Sequence, residues 1–269
     1  MRHLGSAQHH ANRSGPARVV IAAMALAGTL VAGLGLSPDA AAATYRGKTI
    51  AVGRGSAHTL VVTDATGHVS SVAIVFTERA LDGLPMPAGD QMDVAFALPM
   101  PAHAPKTAFD HAVINWEPHG HPPPHIYDVP HFDFHFYMVS SAEQARVTFK
   151  SMMDSGAPAQ QPPASLLPAG YVVPPGTAVP EMGVHAIDTS GPEFHGHPFT
   201  ATFIYGFYEK QMTFLEPMAS RAYLESKPNI TRPVARPASY GRPGMYPDTY
   251  SIRYDKAHHS YTVALEGLR

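Results

Sequence analysis

HFDFHFYMV, residues 131–139, is the stretch that decides the fold. In it the polar residues His131, Asp133 and His135 alternate with three phenylalanines. An alternation with period two places the polar side chains on one face of a β-strand and the rings on the other, whereas a helix would scatter both sets. We therefore predict a strand here with one apolar and one polar face.

Short runs of β-prone residues, separated by turn signals, continue on both sides of this strand. They are Lys48–Val52, Thr59–Thr63, Val69–Phe76, Gln91–Leu98, Phe109–Glu117, Phe199–Tyr208, Gln211–Leu215, Tyr250–Tyr254 and Ser260–Leu265. Short helices are predicted at Glu78–Leu84, Ser141–Met153 and Ala219–Leu224. Many short strands of this kind predict a mainly β (α+β) fold, either an antiparallel β-barrel or a sandwich with one or two short helices.

The N-terminus has the three parts of a secretory signal peptide. Arginines precede the uncharged stretch Val19–Leu36, and the small residues Ala40–Ala43 follow it. We predict that residues 1–43 are a signal peptide, with an uncleaved membrane anchor as the alternative. Residues 44–269 would then form a single β-rich domain with long Pro-rich loops near 157–180 and 228–247. The expected location is outside the cytoplasm, periplasmic or secreted, with no stable membrane insertion after cleavage.

The composition excludes several classes of protein. The chain of 269 residues has a formal net charge of −2 and no basic stripe, so nucleic acid is not an expected partner. It contains no cysteine, so it has neither disulfides nor thiolate ligands. Any metal site must therefore use histidine, carboxylate, methionine or water. Stability must come from an ordinary core, with a metal or a homo-oligomer left open as further contributions.

Histidines are concentrated between Trp116 and Tyr137, and their spacing predicts a metal site. In His119-Gly120-His121 the two rings could point the same way from an extended chain and converge on one ion. By contrast, His131 and His135 lie four residues apart on a strand, about 13 Å. They cannot share one ion unless a bulge intervenes.

A complete site therefore needs residues from other strands. His185 and Glu216 are the expected additional metal ligands beside those four histidines. Asp133 and Glu117 are the candidate catalytic bases, and Asp133 could equally orient a ligating histidine. We expect a divalent transition metal, zinc in the first place. Copper is the alternative, with Met182 or Met218 as a soft ligand.

Several of these motifs resemble an uncharacterised family of exported bacterial proteins, typified by a hypothetical Thermus protein under σE-type control. The motifs are VINWEPHGHPP (113–123), PHFDFHFY (130–137), MGVH (182–185) with Asp188, and the segments 203–206 and 214–218. The resemblance spans about residues 109–225. The family has an aromatic residue after the later histidine, where this chain has Ala186. The resemblance implies an exported, envelope-related protein and no settled activity.

Three functions remain open at this point. The first is an exported metal-binding protein, with a stress-related role in the envelope as one form of it. The second is a metal-dependent hydrolase or lyase that uses a metal-activated water. The third is a metal-free barrel that binds a small molecule. Neither a G-x-S-x-G motif nor a phosphate-binding Gly-rich loop occurs, which argues against common hydrolases, nucleotide enzymes and kinases.

Overall fold

The computed structural model describes residues 41–269, and the apolar stretch of the predicted signal peptide lies outside them. Within that range no helix is long and apolar enough to cross a membrane. Strands and helices are numbered below in chain order.

The first sheet is antiparallel and has seven strands within the described residues. They are β1 (Thr44–Arg46), β2 (Ile50–Val52), β3 (Gly55–Thr63), β4 (Val69–Thr77), β13 (Asn229–Pro233), β14 (Thr249–Asp255) and β15 (Ser260–Glu266). Their order is β1-β3-β4-β15-β14-β13, and β2 pairs with β3. This sheet contains strands from both ends of the described chain, since β15, near the C-terminus, pairs with β4 from the N-terminal part.

The second sheet has eight strands and carries the His-rich segment. They are β5 (Val94–Pro99), β6 (His111–Glu117), β7 (His131–Tyr137), β8 (Tyr171–Val172), β9 (Ala178–Val179), β10 (Gly183–Asp188), β11 (Ala201–Tyr208) and β12 (Gln211–Ser220). Their order is β5-β6-β7-β12-β11-β10-β8, and β9 pairs with β10. The strand that decides the fold, β7, is therefore central in its sheet.

The phenylalanine face of β7 forms the contact between the two sheets. Phe132, Phe134 and Phe136 are buried in the main core, and Phe134 stacks on Phe76 of β4 with ring centroids 5.5 Å apart. Burial of such rings supplies about 1.5–3 kcal/mol each relative to exposed side chains. The sheets thus pack as a sandwich and do not close into a barrel. The predicted mainly β antiparallel fold is confirmed in its sandwich form.

The helices are shorter than the sequence predicts. In place of a helix over Ser141–Met153, the chain forms α1 (Ser141–Gln144), which begins at a capping box between Ser140 and Glu143. No residue of α1 is buried, so no packed face supports further turns, and a 3₁₀ helix follows only at Met152–Gly156. The predicted helix at Glu78–Leu84 is a 3₁₀ helix, Glu78–Leu81. Near Ala219–Leu224 the helix is α2 (Arg221–Glu225).

Two predicted loops and the end of one predicted strand also differ from the structure. The loop predicted at 157–180 includes β8 and β9, and the loop predicted at 228–247 begins with β13, an edge strand that accommodates Pro233. The strand predicted to end at Leu215 continues as β12 to Ser220 despite Pro217, which lacks one N–H donor for the ladder. Glu216 is therefore in the middle of an inner strand and not at a strand end.

Candidate metal centre

The polar face of β7 lies on the outer side of the second sheet, away from the sandwich core. Register places Glu117 of β6 opposite His131, and Asn115 opposite Asp133. On the other side, the pairing of β12 with β7 brings Glu216 beside His135. Polar side chains of three adjacent strands therefore share one face of the sheet.

Loops cover this face and turn it into a second interior. An outer apolar cluster surrounds the polar side chains and includes residues from the segments 118–130 and 189–200. Its members are Val113, Tyr127, Tyr137, Val139, Met182, Ile187, Phe199, Ile204, Phe214 and Met218. As a result His131, Asp133 and His135 are at most 2% exposed. Side chains with charge and hydrogen-bonding capacity are thus removed from water, which is unfavourable unless they gain partners.

One set of possible ligands, the Asp133 group, consists of His121, His131 and Asp133. His121 Nε2 lies 3.6 Å from Asp133 Oδ2, and His131 Nε2 lies 3.2 Å from Asp133 Oδ1. The rings of His121 and His131 are nearly perpendicular, with centroids 4.7 Å apart. One donor atom from each residue lies within 4.8 Å of the others, a spacing that can hold a metal ion.

A second set, the Glu216 group, consists of His135, His185 and Glu216. The Nε2 atoms of His135 and His185 lie 3.7 and 3.9 Å from Glu216 Oε2. His185 arrives from β10, two strands beyond β12, where it is paired with Gly206 of β11. This group, too, can hold a metal ion. The structure thus distributes His131 and His135 over two groups.

Gly206 makes room for the aromatic wall of the Glu216 group. A Cβ at this position would lie 2.1 Å from the ring of Phe214. The ring of Phe214 packs against His135 and His185, with centroid separations of 4.5 and 5.3 Å. Only glycine lets this ring lie across β11, so Gly206 indirectly positions both histidines.

All four histidines of the two groups have one ring nitrogen held by an oxygen acceptor. The Nδ1–H groups of His121, His131 and His185 donate to backbone carbonyls, those of Pro122, Val129 and Thr177, at 2.7–2.9 Å. The Nδ1–H of His135 donates to Asn115 Oδ1 at 3.0 Å. Because an oxygen acceptor requires the proton on Nδ1, the lone pair of the neutral ring is on Nε2, which faces the acidic partner. This is the arrangement that orients histidine ligands in metalloproteins.

The atoms that face one another inside the groups lack hydrogen bonds. Unpartnered buried atoms include His131 Nε2, Asp133 Oδ1, His135 Nε2 and both carboxylate oxygens of Glu216. None of the contacts inside the groups, which measure 3.2–3.9 Å, forms a hydrogen bond. Buried polar atoms without partners are rare in folded proteins and call for an explanation such as a bound ion.

Electrostatics differ between the two groups. In the Asp133 group, burial alone would disfavour the charged forms, but the neighbouring histidines lower the pKa of Asp133 well below its usual range. Burial likewise opposes the charged form of His121. The interaction with Asp133 outweighs this effect, and the pKa of His121 is raised to about 9. The Asp133 group thus favours an internal ion pair when no metal is bound.

In the Glu216 group burial dominates. It lowers the pKa of His135 to about 3 and of His185 to about 4, and it raises the pKa of Glu216 well above the usual value. The negative charge of Asp133 raises the pKa of Glu216 further. At neutral pH both rings are therefore uncharged and ready to donate a lone pair without first losing a proton.

A cavity adjoins both groups. It is lined by His121 and Asp133 from the first group and by His185 from the second, together with Glu117 and Asp93. Burial, reinforced by Asp133, raises the pKa of Glu117 to about 8. Burial also raises the pKa of Asp93. The remaining residues that line the cavity are mostly apolar.

His119 does not join His121. Gly120 has φ of 69°, and a Cβ there would lie 2.1 Å from the carbonyl oxygen of Tyr127. The chain turns sharply at this glycine, so His119 is exposed while the ring of His121 points inward. The extended pair expected from the His-Gly-His spacing is therefore wrong in its geometry. Glu117 is near the Asp133 group, at the cavity wall, and is not part of either group.

Sequence reasoning missed two residues, Asn115 and Asp93. Asn115 donates through Nδ2 to Asp93 Oδ2 and accepts from His135, so it links a cavity carboxylate to a candidate ligand. Asn115 is two residues before Glu117, and the period-two pattern extended along β6 would have placed both on the polar face. Asp93 lies within the predicted strand Gln91–Leu98, but β5 begins only at Val94, so the strand pattern does not locate its side chain.

The comparisons with known proteins identify one family. The model of the TTHB210-like family, described as hypothetical protein TTHB210, matches residues 64–116. The matched stretch includes Asp93 and Asn115 but ends before the histidines of both groups. No curated protein and no solved structure matches the chain. Over residues 64–116 the chain is therefore similar to the uncharacterised TTHB210-like family, in agreement with the resemblance seen in the sequence motifs.

Proposed function

We propose that this protein binds two divalent transition-metal ions, one at the Asp133 group and one at the Glu216 group. The observation that carries the proposal is the orientation of the four histidines. Each has its Nδ1–H fixed by an oxygen and its Nε2 directed at a buried carboxylate. A metal ion would supply the partner that His131 Nε2, His135 Nε2 and the carboxylate oxygens facing them lack.

The charges around the site support two cations. Glu117, Asp133 and Glu216 are each at most 3% exposed, and Asp93 is half-buried beside them. Among residues 41–269, no lysine or arginine forms an ion pair with any of these four carboxylates. Two divalent ions would stabilise the ionised forms of these four carboxyl groups, forms that are otherwise unfavourable to bury together.

Zinc is the proposed metal. Both groups offer imidazole nitrogen and carboxylate oxygen, the donor set that zinc accepts in tetrahedral sites. Copper(I) favours thioether sulfur over the imidazole and carboxylate donors that make up the two groups. The predicted signal peptide adds the proposal that the protein acts outside the cytoplasm. A mass measurement of the chain recovered from the periplasm or medium would test cleavage near Ala43.

Elemental analysis of the full chain, produced without a histidine tag, tests metal binding. We expect two zinc ions per chain, and one after His121→Gln or His185→Gln. His119→Gln is the matched control, because the exposed His119 belongs to neither group, and it should retain both ions. A protein without bound metal after zinc loading, or variants that keep both ions, would refute the proposal.

A metal-dependent hydrolase or lyase is the second candidate function. The observation that favours it is Glu117, whose Oε2 is buried, lacks a hydrogen-bond partner and lies at the wall of the cavity. A carboxylate in that position could accept a proton from a bound molecule. A screen of the zinc-loaded protein against ester, amide and phosphate substrates, with Glu117→Gln as the control, would test this candidate.

A further inference from the structure

The cavity between the two groups has the composition of a small-molecule site. Apolar side chains form much of its wall, and its polar residues converge on one region. The apolar lining includes Met92, Met152, Val179, Met182, Ile187 and Ile204. Ligand sites are concave, mostly apolar and supplied with a few placed polar groups.

The ligand count of the two groups leaves room for another donor. Each group brings three protein atoms within 4.8 Å of one another, whereas zinc takes four ligands in tetrahedral sites. His121, Asp133 and His185 belong to the groups and also line the cavity. Two of the three residues of the Asp133 group thus face the cavity, so an ion held by that group would lie at the cavity wall with its remaining position accessible from that side.

We propose that the cavity binds a small organic molecule that has a metal-chelating head and a short apolar body. This inference rests on the proposed metal binding. The head would occupy the open position of an ion, and the body would lie against Ile204 and Val179. The ligand enters from the side of Met92, which is 40% exposed at the edge of the cavity.

The carboxylates of the cavity restrict the chemistry of the head. Glu117 and Asp93 face the same space, and no lysine or arginine of the described chain lines the cavity, so burial of a fully charged anion such as sulfate would be disfavoured. A head that carries N–H or O–H donors as well as a metal-binding oxygen would fit, since Glu117 Oε2 lacks a hydrogen-bond partner. Hydroxamates combine these features, and acetohydroxamate is small enough to serve as the probe.

Calorimetric titration of acetohydroxamate into the zinc-loaded full chain tests the inference. We expect saturable binding that disappears after the metal is removed with a chelator. Val179→Phe extends a side chain into the cavity and should weaken binding about tenfold or more. Val172→Phe is the matched control, because Val172 is 45% exposed and is not among the cavity residues, and it should bind as the unmodified protein does.

The possible outcomes separate the two proposals. Two zinc ions per chain without acetohydroxamate binding would overturn the ligand site and leave metal binding intact. Equal affinities of Val179→Phe and Val172→Phe, with unchanged zinc content, would also overturn it, because the ligand would then bind elsewhere. A chain that binds no metal would overturn both proposals.

Discussion

Glu216→Gln should separate metal binding from folding. Glu216 is fully buried, and burial raises the pKa of its carboxyl group well above the usual value, which favours the protonated form in the metal-free protein. Glutamine has nearly the shape of a protonated glutamate, so the metal-free variant should unfold within about 1 kcal/mol of the unmodified protein. In the zinc-loaded state the substitution removes a ligand of the Glu216 group, so the variant should then have a lower melting temperature than the unmodified protein.

The magnitude follows from linkage between binding and folding. At a free zinc concentration 100 times the dissociation constant, each occupied site adds about 2.7 kcal/mol to the free energy of unfolding. In a domain of this size, 1 kcal/mol corresponds to about 2–4 °C in melting temperature. Zinc should therefore raise the melting temperature of the unmodified chain by about 10–20 °C through two sites, and that of Glu216→Gln by about half as much.

Thermal unfolding followed by circular dichroism, with zinc and with a chelator, measures both effects. Glu209→Gln is the matched control, because Glu209 is exposed at the turn between β11 and β12 and should leave both melting temperatures unchanged. If Glu216→Gln shows the full zinc-dependent rise, Glu216 is not a ligand and the reasoning fails. If its metal-free form is strongly destabilised, the carboxyl group has a structural role in the absence of metal.

Three further predictions concern the Glu216 group. In the metal-free protein, His135 and His185 should contribute a fall in stability as the pH drops from 6.5 towards 4, because the unfolded chain takes up protons on these rings that the folded chain, with pKa values of about 3 and 4, does not. The raised pKa values of Glu216 and Glu117 act in the opposite direction, so this contribution is measured as the difference from a variant that lacks one histidine. His185→Gln should flatten this fall in pH-dependent denaturation, and parallel curves would contradict it. Asn115→Leu should weaken zinc binding at this group about 10–100-fold, since it removes the acceptor of His135 Nδ1–H, and unchanged affinity in a competition titration would exclude that role. Gly206→Ala should displace the Phe214 ring and lower zinc content towards one ion per chain, whereas two tightly held ions would show that the ring position is unimportant.

The fold could be predicted because its main signal is local. Alternation in residues 131–137 identifies a strand and both of its faces, and the phenylalanine face forms the contact with the first sheet. The helix over Ser141–Met153 could not be corrected from the sequence, because its length depends on whether a neighbouring element covers its apolar residues. The choice of sandwich over barrel likewise depends on pairings between distant strands, such as β4 with β15.

The candidate site could be predicted in its residue types but not in its grouping. The distance between His131 and His135 along a strand follows from strand geometry alone. The association of His135 with Glu216 and His185 requires the register of β7, β12, β11 and β10, which no local pattern contains. The separation of His119 from His121 depends on the close approach of the Tyr127 backbone to Gly120, a contact between residues seven positions apart.

The two faces of β7 have different roles. Its phenylalanines hold the sandwich together, and its histidines and aspartate face the loop-covered side, where the outer apolar cluster forms a separate interior. Substitutions in the loops or on the polar face can therefore change which ion or ligand is accepted while the packing between the sheets is preserved. Such an arrangement lets descendants of one ancestral chain diverge in chemistry on a common scaffold, and it offers protein engineers a site that can be redesigned without rebuilding the fold.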